Sequence, residues 1–169
     1  MSEIIHERPG VYSSYDASAV VSGGRAVRTV GVAARAVRGD VGKVVTVTGY
    51  PAGVAVFGED AAQSPGMSTL LRLLFANGAA TVLAVRVDDA AGTADYEAAF
   101  QALGREEAQI LVCDSAELEV QQALRTAVEE ASSTRRERIA LVGGNGDTAA
   151  ELVERAAALN SERMVLVGP

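Results

Sequence analysis

From Ser64 onward the apolar pattern alternates between a three-to-four-residue period and short unbroken runs, and few folds satisfy that alternation. Met67, Leu70, Leu71, Leu74 and Phe75 recur at helical spacing, and Leu73 widens the face. Ser64 is placed to cap this helix, Pro65 suits its first position, and Asn77-Gly78 should end it. Thr81–Val87 is then a mostly apolar strand. Thr93 is a candidate cap for a helix that turns Tyr96, Ala99, Phe100 and Leu103 inward. Gln109–Cys113 is the next strand, and Ser115 can cap a helix whose face is Val120, Leu124, Ala127, Val128 and Ala131. Arg138–Val142 is a third strand of this half. Asp147 can cap a helix using Leu152, Val153, Ala156 and Leu159, and Arg163–Val167 is a fourth strand. Strands apolar on both faces, separated by helices, are what a covered parallel sheet needs, with right-handed crossovers.

The front of the chain reads differently. Residues 26–58 predict a β-rich segment, with strands over Ala26–Val32 and Val41–Thr48 and a short apolar run, Val54–Phe57, between Gly53 and Gly58. Residues 1–25 predict an extended arm punctuated by Pro9-Gly10, Ser13-Ser14 and Gly23-Gly24. Its apolar residues, among them Val11, Tyr12, Tyr15, Val20 and Val21, hold no helical spacing and can add as a strand to a sheet edge in the same chain or a neighbour. Gly23 and Gly24 supply the hinge to the body. The fold class expected is α/β: a mostly parallel sheet with helices on both faces, preceded by a β-rich segment and an extended N-terminal arm. The division is an arm over 1–25 and a core over 26–169, β-rich over 26–58 and built of βαβ repeats over 64–169. The last residues follow a strand directly, without a closing helix, so the core is expected to be cut short at its C-terminus.

Composition narrows the function classes. With 49% apolar and 22% charged residues among 169, the chain can offset the entropy of folding, which excludes disorder throughout. A formal charge of -7 argues against a nucleic-acid binder. Residues 1–50 carry six basic and four acidic side chains, and the remainder carries nine basic and eighteen acidic, so front and body can attract one another between copies. Cys113 is the single cysteine and has no intrachain partner, which points to a reducing compartment or a fold that needs no bridge. No conventional secretory signal and no membrane-spanning run is visible. Three Phe, four Tyr and no Trp leave an aliphatic, alanine-rich core.

The strongest hint of chemistry is Gly143–Ala149, where Gly144, Gly146 and Ala149 fit a G-x-G-x-x-A spacing between a strand and a helix. The acid expected about 20 residues further on is missing, since the next strand ends Val165-Leu166-Val167-Gly168-Pro169. Asp147 would also set a negative charge beside a phosphate. Gly39–Lys43 is too short for a P-loop and leads into a strand. Cys113-Asp114-Ser115 ends a strand, where α/β enzymes place catalytic groups, yet the single histidine, His6, lies in the arm. One histidine and one cysteine make no zinc site. Arg135, Arg136 and Arg138 lack interleaved aromatics for base stacking. No catalytic, cofactor-binding or metal-ligating residue is therefore expected.

The order of these segments resembles a known family. Arg8-Pro9-Gly10-Val11-Tyr12 resembles the "PGVY" opening of contractile tail sheath proteins of phages and phage-derived particles, in which an extended arm follows. Val54–Glu59 stands where that family often has a short helix ending in "FG", although these residues by themselves read as a strand. Leu70–Val87 resembles the family's "FF.NGG..AYVVRV" helix-turn-strand, and Asp95–Leu103 is similar to the helix after it. Ile110–Asp114, Arg138–Val142 and Ser161–Pro169 are similar to its later core strands, the last to "S.R..LYYP". The similarity runs in order over most of residues 8–169.

What the resemblance implies is a structural subunit without catalysis, polymerised as a helical sheath of stacked rings that contracts to drive a tail tube through a cell envelope. It implies a subtilisin-like α/β core lacking the protease triad. The implied partners are further copies of the full-length protein, the tail tube protein, and baseplate and tail terminator proteins, with no nucleic acid, membrane or cofactor. The implied location is a virion tail or phage-like particle, assembled in the bacterial cytoplasm. The family has a longer C-terminal part that pairs with neighbours, so the present chain alone is expected to be monomeric or weakly associated. The competing reading is a nucleotide- or dinucleotide-binding protein using the loop 143–149.

Overall fold

A computed structural model describes residues 29–61, 66–90, 92–144 and 146–168. The β-branched run Thr29–Arg35 forms β1, and Val44–Val47 forms β2. Tyr50–Phe57 forms α1 and Met67–Ala76 forms α2. The chain then alternates: β3 (Thr81–Val87), α3 (Thr93–Gly104), β4 (Ile110–Cys113), α4 (Leu118–Ser133), β5 (Ile139–Gly143), α5 (Ala149–Leu159) and β6 (Met164–Val167). The six strands make one sheet in the order β2-β3-β1-β4-β5-β6. All neighbours run parallel except β2, which lies antiparallel on the β3 edge. The fold class is the α/β arrangement expected from the alternation, with a largely parallel sheet, flanking helices and a β-strand region at the front.

The two faces hold separate cores. On one, α3, α4 and α5 cover Ala33, Leu83, Val85, Leu111, Ala140 and Val142 with Phe100, Leu103, Leu124, Val128 and Leu159. On the other, α1 and α2 cover Val30, Val32, Ala34, Val82, Ala84 and Val112 with Phe57, Met67 and Leu71. β1 is buried from Thr29 to Ala34 because it lies mid-sheet between these layers. This explains its continuous small and β-branched composition.

Val54–Phe57 is not a strand: it is the last turn of α1, whose end is marked by Phe57-Gly58. Pro51 sits in the first turn of this helix, where its missing N–H leaves no bond unmade. The helix lacks an amphipathic period because its exposed residues, among them Ala52, Ala55 and Val56, are as apolar as the buried Gly53 and Phe57. A Cβ on Gly53 would lie 2.5 Å from Leu71 Cδ1 and 3.3 Å from Val47 Cγ1, so glycine lets α1 approach both α2 and β2.

Several caps also differ. α2 begins after Gly66, and the Asp60 carboxylate accepts from the Gly66 and Thr69 N–H groups at 2.9 and 2.8 Å. The expected cap Ser64 and its Pro65 lie outside the described residues. α3 is capped at Gly92, whose N–H donates to Asp95 at 2.9 Å, and Thr93 is its first helical residue. α4 starts after Glu117, with Ser115 Oγ accepting from the Glu117 N–H. α5 is capped by Thr148, whose N–H and hydroxyl donate to Glu151, and not by Asp147. The helix starts are set by where the apolar face meets the sheet rather than by the nearest hydroxyl or carboxylate in sequence.

Candidate functional site

β3, β4 and β5 are followed by helices on one face of the sheet, while the connection after β1 places α1 and α2 on the other. The boundary between β1 and β4 is therefore the topological switch point, outside whose carboxyl ends open α/β sheets hold their ligands. Arg35 ends β1, and Asp114 follows the last residue of β4. Asp114 Oδ2 accepts from Arg35 Nε at 2.9 Å and from the Arg35 N–H at 3.1 Å. Its Oδ1 accepts from the Tyr96 hydroxyl of α3 at 2.6 Å. The Asp114 side chain is only 2% exposed and Arg35 48%.

These contacts set the local electrostatics. The hydrogen bond to Asp114 raises the Arg35 guanidinium above its ordinary value. Burial, and then the hydrogen bond to Asp114, push the Tyr96 phenol well above the usual range. Burial also pushes the Cys113 thiol up to about 12, and its Sγ meets the Ser115 carbonyl at 3.5 Å. A nucleophile needs a depressed pKa or an adjacent base, and Cys113 has its pKa raised. The groups at the switch point thus tie β1, β4 and α3 together.

Beside this ion pair lies a cleft of about 210 Å³, lined by Thr69 and Leu70 of α2, by Cys113–Ala116, and by Gly66, Gly143 and Gly144. It is smaller than the roughly 300–1,000 Å³ of typical ligand pockets. The glycine loop beside it is occupied by its own chain. A Cβ on Gly144 would fall 2.7 Å from Leu152 Cδ2 and 2.9 Å from Asp147 Oδ2. Asp147 binds Arg155 Nε at 2.7 Å, and Arg155 also donates to the Ala116 carbonyl at 2.8 Å. At the start of α2, burial alone would raise the Asp60 carboxyl. The Thr69 and Gly66 N–H groups, with Ser68, outweigh it and hold the carboxyl below its ordinary value. The N-termini of α2 and α5 are therefore occupied by the chain's own carboxylates.

Among the described residues, no group of three or more His, Cys, Asp and Glu is placed to hold a metal ion, and no helix is long and apolar enough to cross a membrane. The arm residues Val11, Tyr12, Tyr15, Val20 and Val21 and the hinge Gly23 and Gly24 lie outside the described residues, as does His6. Cys113, Asp114 and Ser115 do sit at the carboxyl end of a central strand as expected. The residue that matters there is Asp114, and its partners were missed because Arg35 and Tyr96 are far away in sequence. The available signal was a polar residue closing each of two apolar strands.

Among the described residues, a six-stranded α/β sheet with a flavodoxin-type order of its five parallel strands and an antiparallel β2 beside β3 defines the class. No family model matches the chain, and comparison with curated proteins finds no match. Solved structures do match. The helical sheath of the anti-feeding prophage in its contracted state superposes with a TM-score of 0.60 at 19% identity, over 98% of this chain and 46% of that one. A chain of the baseplate of the same particle, six-fold symmetrised, superposes with a TM-score of 0.62 at 18% identity, over 98% of this chain and 47% of that one. The chain shares their fold and spans under half of their length.

Proposed function

We propose that the chain is a structural subunit of a contractile tail sheath or of a closely related part of a contractile injection particle. The observation that carries this reading is the shared fold over 98% of the chain with the anti-feeding prophage sheath. The ordered resemblance from Arg8 to Pro169 supports it independently. The switch point agrees, because the carboxylate that an enzyme of this fold would turn to substrate is bound to Arg35 and Tyr96. On this reading the chain performs no catalysis and holds no cofactor. Copies would stack in rings around a tail tube protein, between baseplate and terminator proteins, in a virion tail or phage-like particle assembled in the bacterial cytoplasm. The finer parts of the reading are a core over 26–169 of subtilisin type and an arm over 1–25, in which Val11, Tyr12, Tyr15, Val20 and Val21 join a neighbour's sheet edge and Gly23 and Gly24 form the hinge.

Electron microscopy of the complete gene product containing these residues tests the reading. Tubes built of stacked rings are expected. Deleting residues 1–22 should leave the circular dichroism of the core intact and abolish the tubes. A complete product that forms only small soluble particles at every concentration would overturn the sheath assignment. Normal tubes from the deletion would remove the arm's linking role.

A further inference from the structure

The end of α2 is closed by hydrogen bonds from the residues that follow it. The Asn77 N–H donates to the Leu73 carbonyl at 3.0 Å, the Gly78 N–H to Phe75 at 3.2 Å and the Ala79 N–H to Leu74 at 3.0 Å. Gly78 has a φ of 87°. With Asn77 as the C-cap this is a Schellman motif, whose left-handed position favours glycine. The Asn77 side chain adds a further bond, with Nδ2 donating to the Leu73 carbonyl at 2.8 Å. Asn77 and Gly78 are both exposed, and the space beside the Gly78 Cα is open.

Asparagine followed by glycine carries its own chemistry. With no Cβ on the second residue, its backbone nitrogen can approach the carboxamide of the first. Gly78 N gives its proton to hydroxide and attacks Asn77 Cγ. The N–Cγ bond forms, the Cγ–Nδ2 bond breaks, and Nδ2 leaves as ammonia with a proton from water. Water then opens the five-membered imide at either carbonyl, giving aspartate or isoaspartate. The reaction consumes only water, so its rate is set by geometry and pH.

Folded α2 denies that geometry. Ring closure needs Gly78 N and Asn77 Cβ to be nearly eclipsed about the Asn77 Cα–C bond. The Asn77 ψ of 13° eclipses Gly78 N with the Asn77 N instead. Turning ψ to the reactive value swings Gly78 and Ala79 away from the helix and breaks their bonds to it. The nucleophile is thus one donor of the cap, and the leaving amide is another.

We propose that Asn77-Gly78 is a spontaneous deamidation site that the cap of α2 holds shut and that reacts only when this helix end opens. The product cannot restore the cap. A carboxylate at residue 77 lacks the Nδ2 donor and stands at the negative end of the helix dipole. Isoaspartate also lengthens the backbone by one carbon. Each conversion therefore leaves the last turn of α2 looser, and with it Leu74 and Phe75, which pack against the second core. Met67 and Leu71, earlier in the helix, keep α2 on the sheet. The site ages the subunit whatever assembly it joins.

Peptide mapping by mass spectrometry is the test. Trypsin releases Leu73–Arg86, in which Asn77 is the single asparagine, while Asn145 and Asn160 fall on other peptides. The folded chain, the chain unfolded in urea and the synthetic peptide Leu73–Arg86 are incubated in mildly alkaline buffer, the peptide with and without urea. The unfolded chain and the peptide should convert Asn77 at matching rates. The folded chain should convert it at least about tenfold more slowly, as for a helix end open less than about a tenth of the time. Asn77→Asp, standing in for the product, should exchange the Gly78 and Ala79 amide protons faster than Asn77→Ala, with circular dichroism unchanged and the difference reduced by salt. Conversion in the folded chain as fast as in the peptide, no conversion in the unfolded chain, or equal exchange in the two variants overturns the proposal.

Discussion

Arg35 grips Asp114 twice, through its side-chain Nε at 2.9 Å and its own backbone N–H at 3.1 Å, both on one carboxylate oxygen. The two residues are 79 positions apart and close neighbouring central strands. Because Arg35 is half exposed, the ion pair itself contributes little. The consequential part is the nearly buried carboxylate, whose other oxygen accepts from Tyr96.

Asp114→Asn keeps the volume and one acceptor but turns an NH2 group toward one set of donors. It should destabilise the fold by about 1–3 kcal/mol, the cost of leaving buried donors unmatched. Urea unfolding midpoints report it, and Arg35→Lys should cost less because its backbone N–H still binds Asp114. An Asp114→Asn protein as stable as the parent would mean that this tie is not formed in solution.

The contact between α1 and α2 makes a sharper test. Leu71 is fully buried, and Leu71→Ala should cost about 2–5 kcal/mol through lost burial and a cavity. Leu74 is only partly buried and should cost less. Gly53→Ala alone pushes a methyl into Leu71. In the double variant that methyl enters the space Leu71 vacates, so the pair should cost less than the sum of the two singles. Strict additivity in thermal or urea unfolding would place α1 and α2 apart.

The alternating half of the fold was legible because each of its strands and helices carries its own period. β3 begins and ends where the apolar run Thr81–Val87 does. The front was less legible because its apolar residues do not mark one buried face: β1 is buried on both faces, and α1 exposes apolar residues. Val54–Phe57 is apolar throughout although Ala55 and Val56 are exposed, so no face stands out, and only Pro51 in the first turn favours the helix. β1 runs on to Arg35, past the end expected at Val32, because the strand is buried on both faces and offers no alternation to fix where it stops.

Asp60 gives a pH dependence with a definite sign. Its folded-state value lies below the ordinary 3.8, so its contribution is full above that value and is lost as the pH falls through the lower, folded one. Below about pH 4 the parent should therefore lose stability more steeply than Asp60→Asn. At neutral pH the variant should be weaker by on the order of 1 kcal/mol, as when a helix N-cap is removed. Unfolding midpoints that fall in parallel for both proteins between neutrality and acid would remove Asp60 from the cap of α2.

The glycine loop should not bind nucleotides. A pyrophosphate on a helix N-terminus needs free N–H groups and room for backbone to approach the oxygens. In this chain Thr148 donates its N–H and hydroxyl to Glu151, closing the first turn of α5. Asp147 and Leu152 occupy the space beside Gly144. Asp147 is held there by Arg155, which is anchored in turn on the Ala116 carbonyl. A phosphate would have to displace one carboxylate and approach another, with no acid near Val167 to receive a ribose hydroxyl. Titration calorimetry with NAD, FAD and ATP at millimolar concentration should show no saturable heat. Asp147→Ala should not create binding either, because it frees Arg155 and loosens the turn without opening the capped N-terminus. Its expected effect is a loss of stability alone, seen as a lower unfolding midpoint. Saturable micromolar binding by the parent chain would return the loop to function and put an enzyme or nucleotide-binding protein ahead of the sheath subunit.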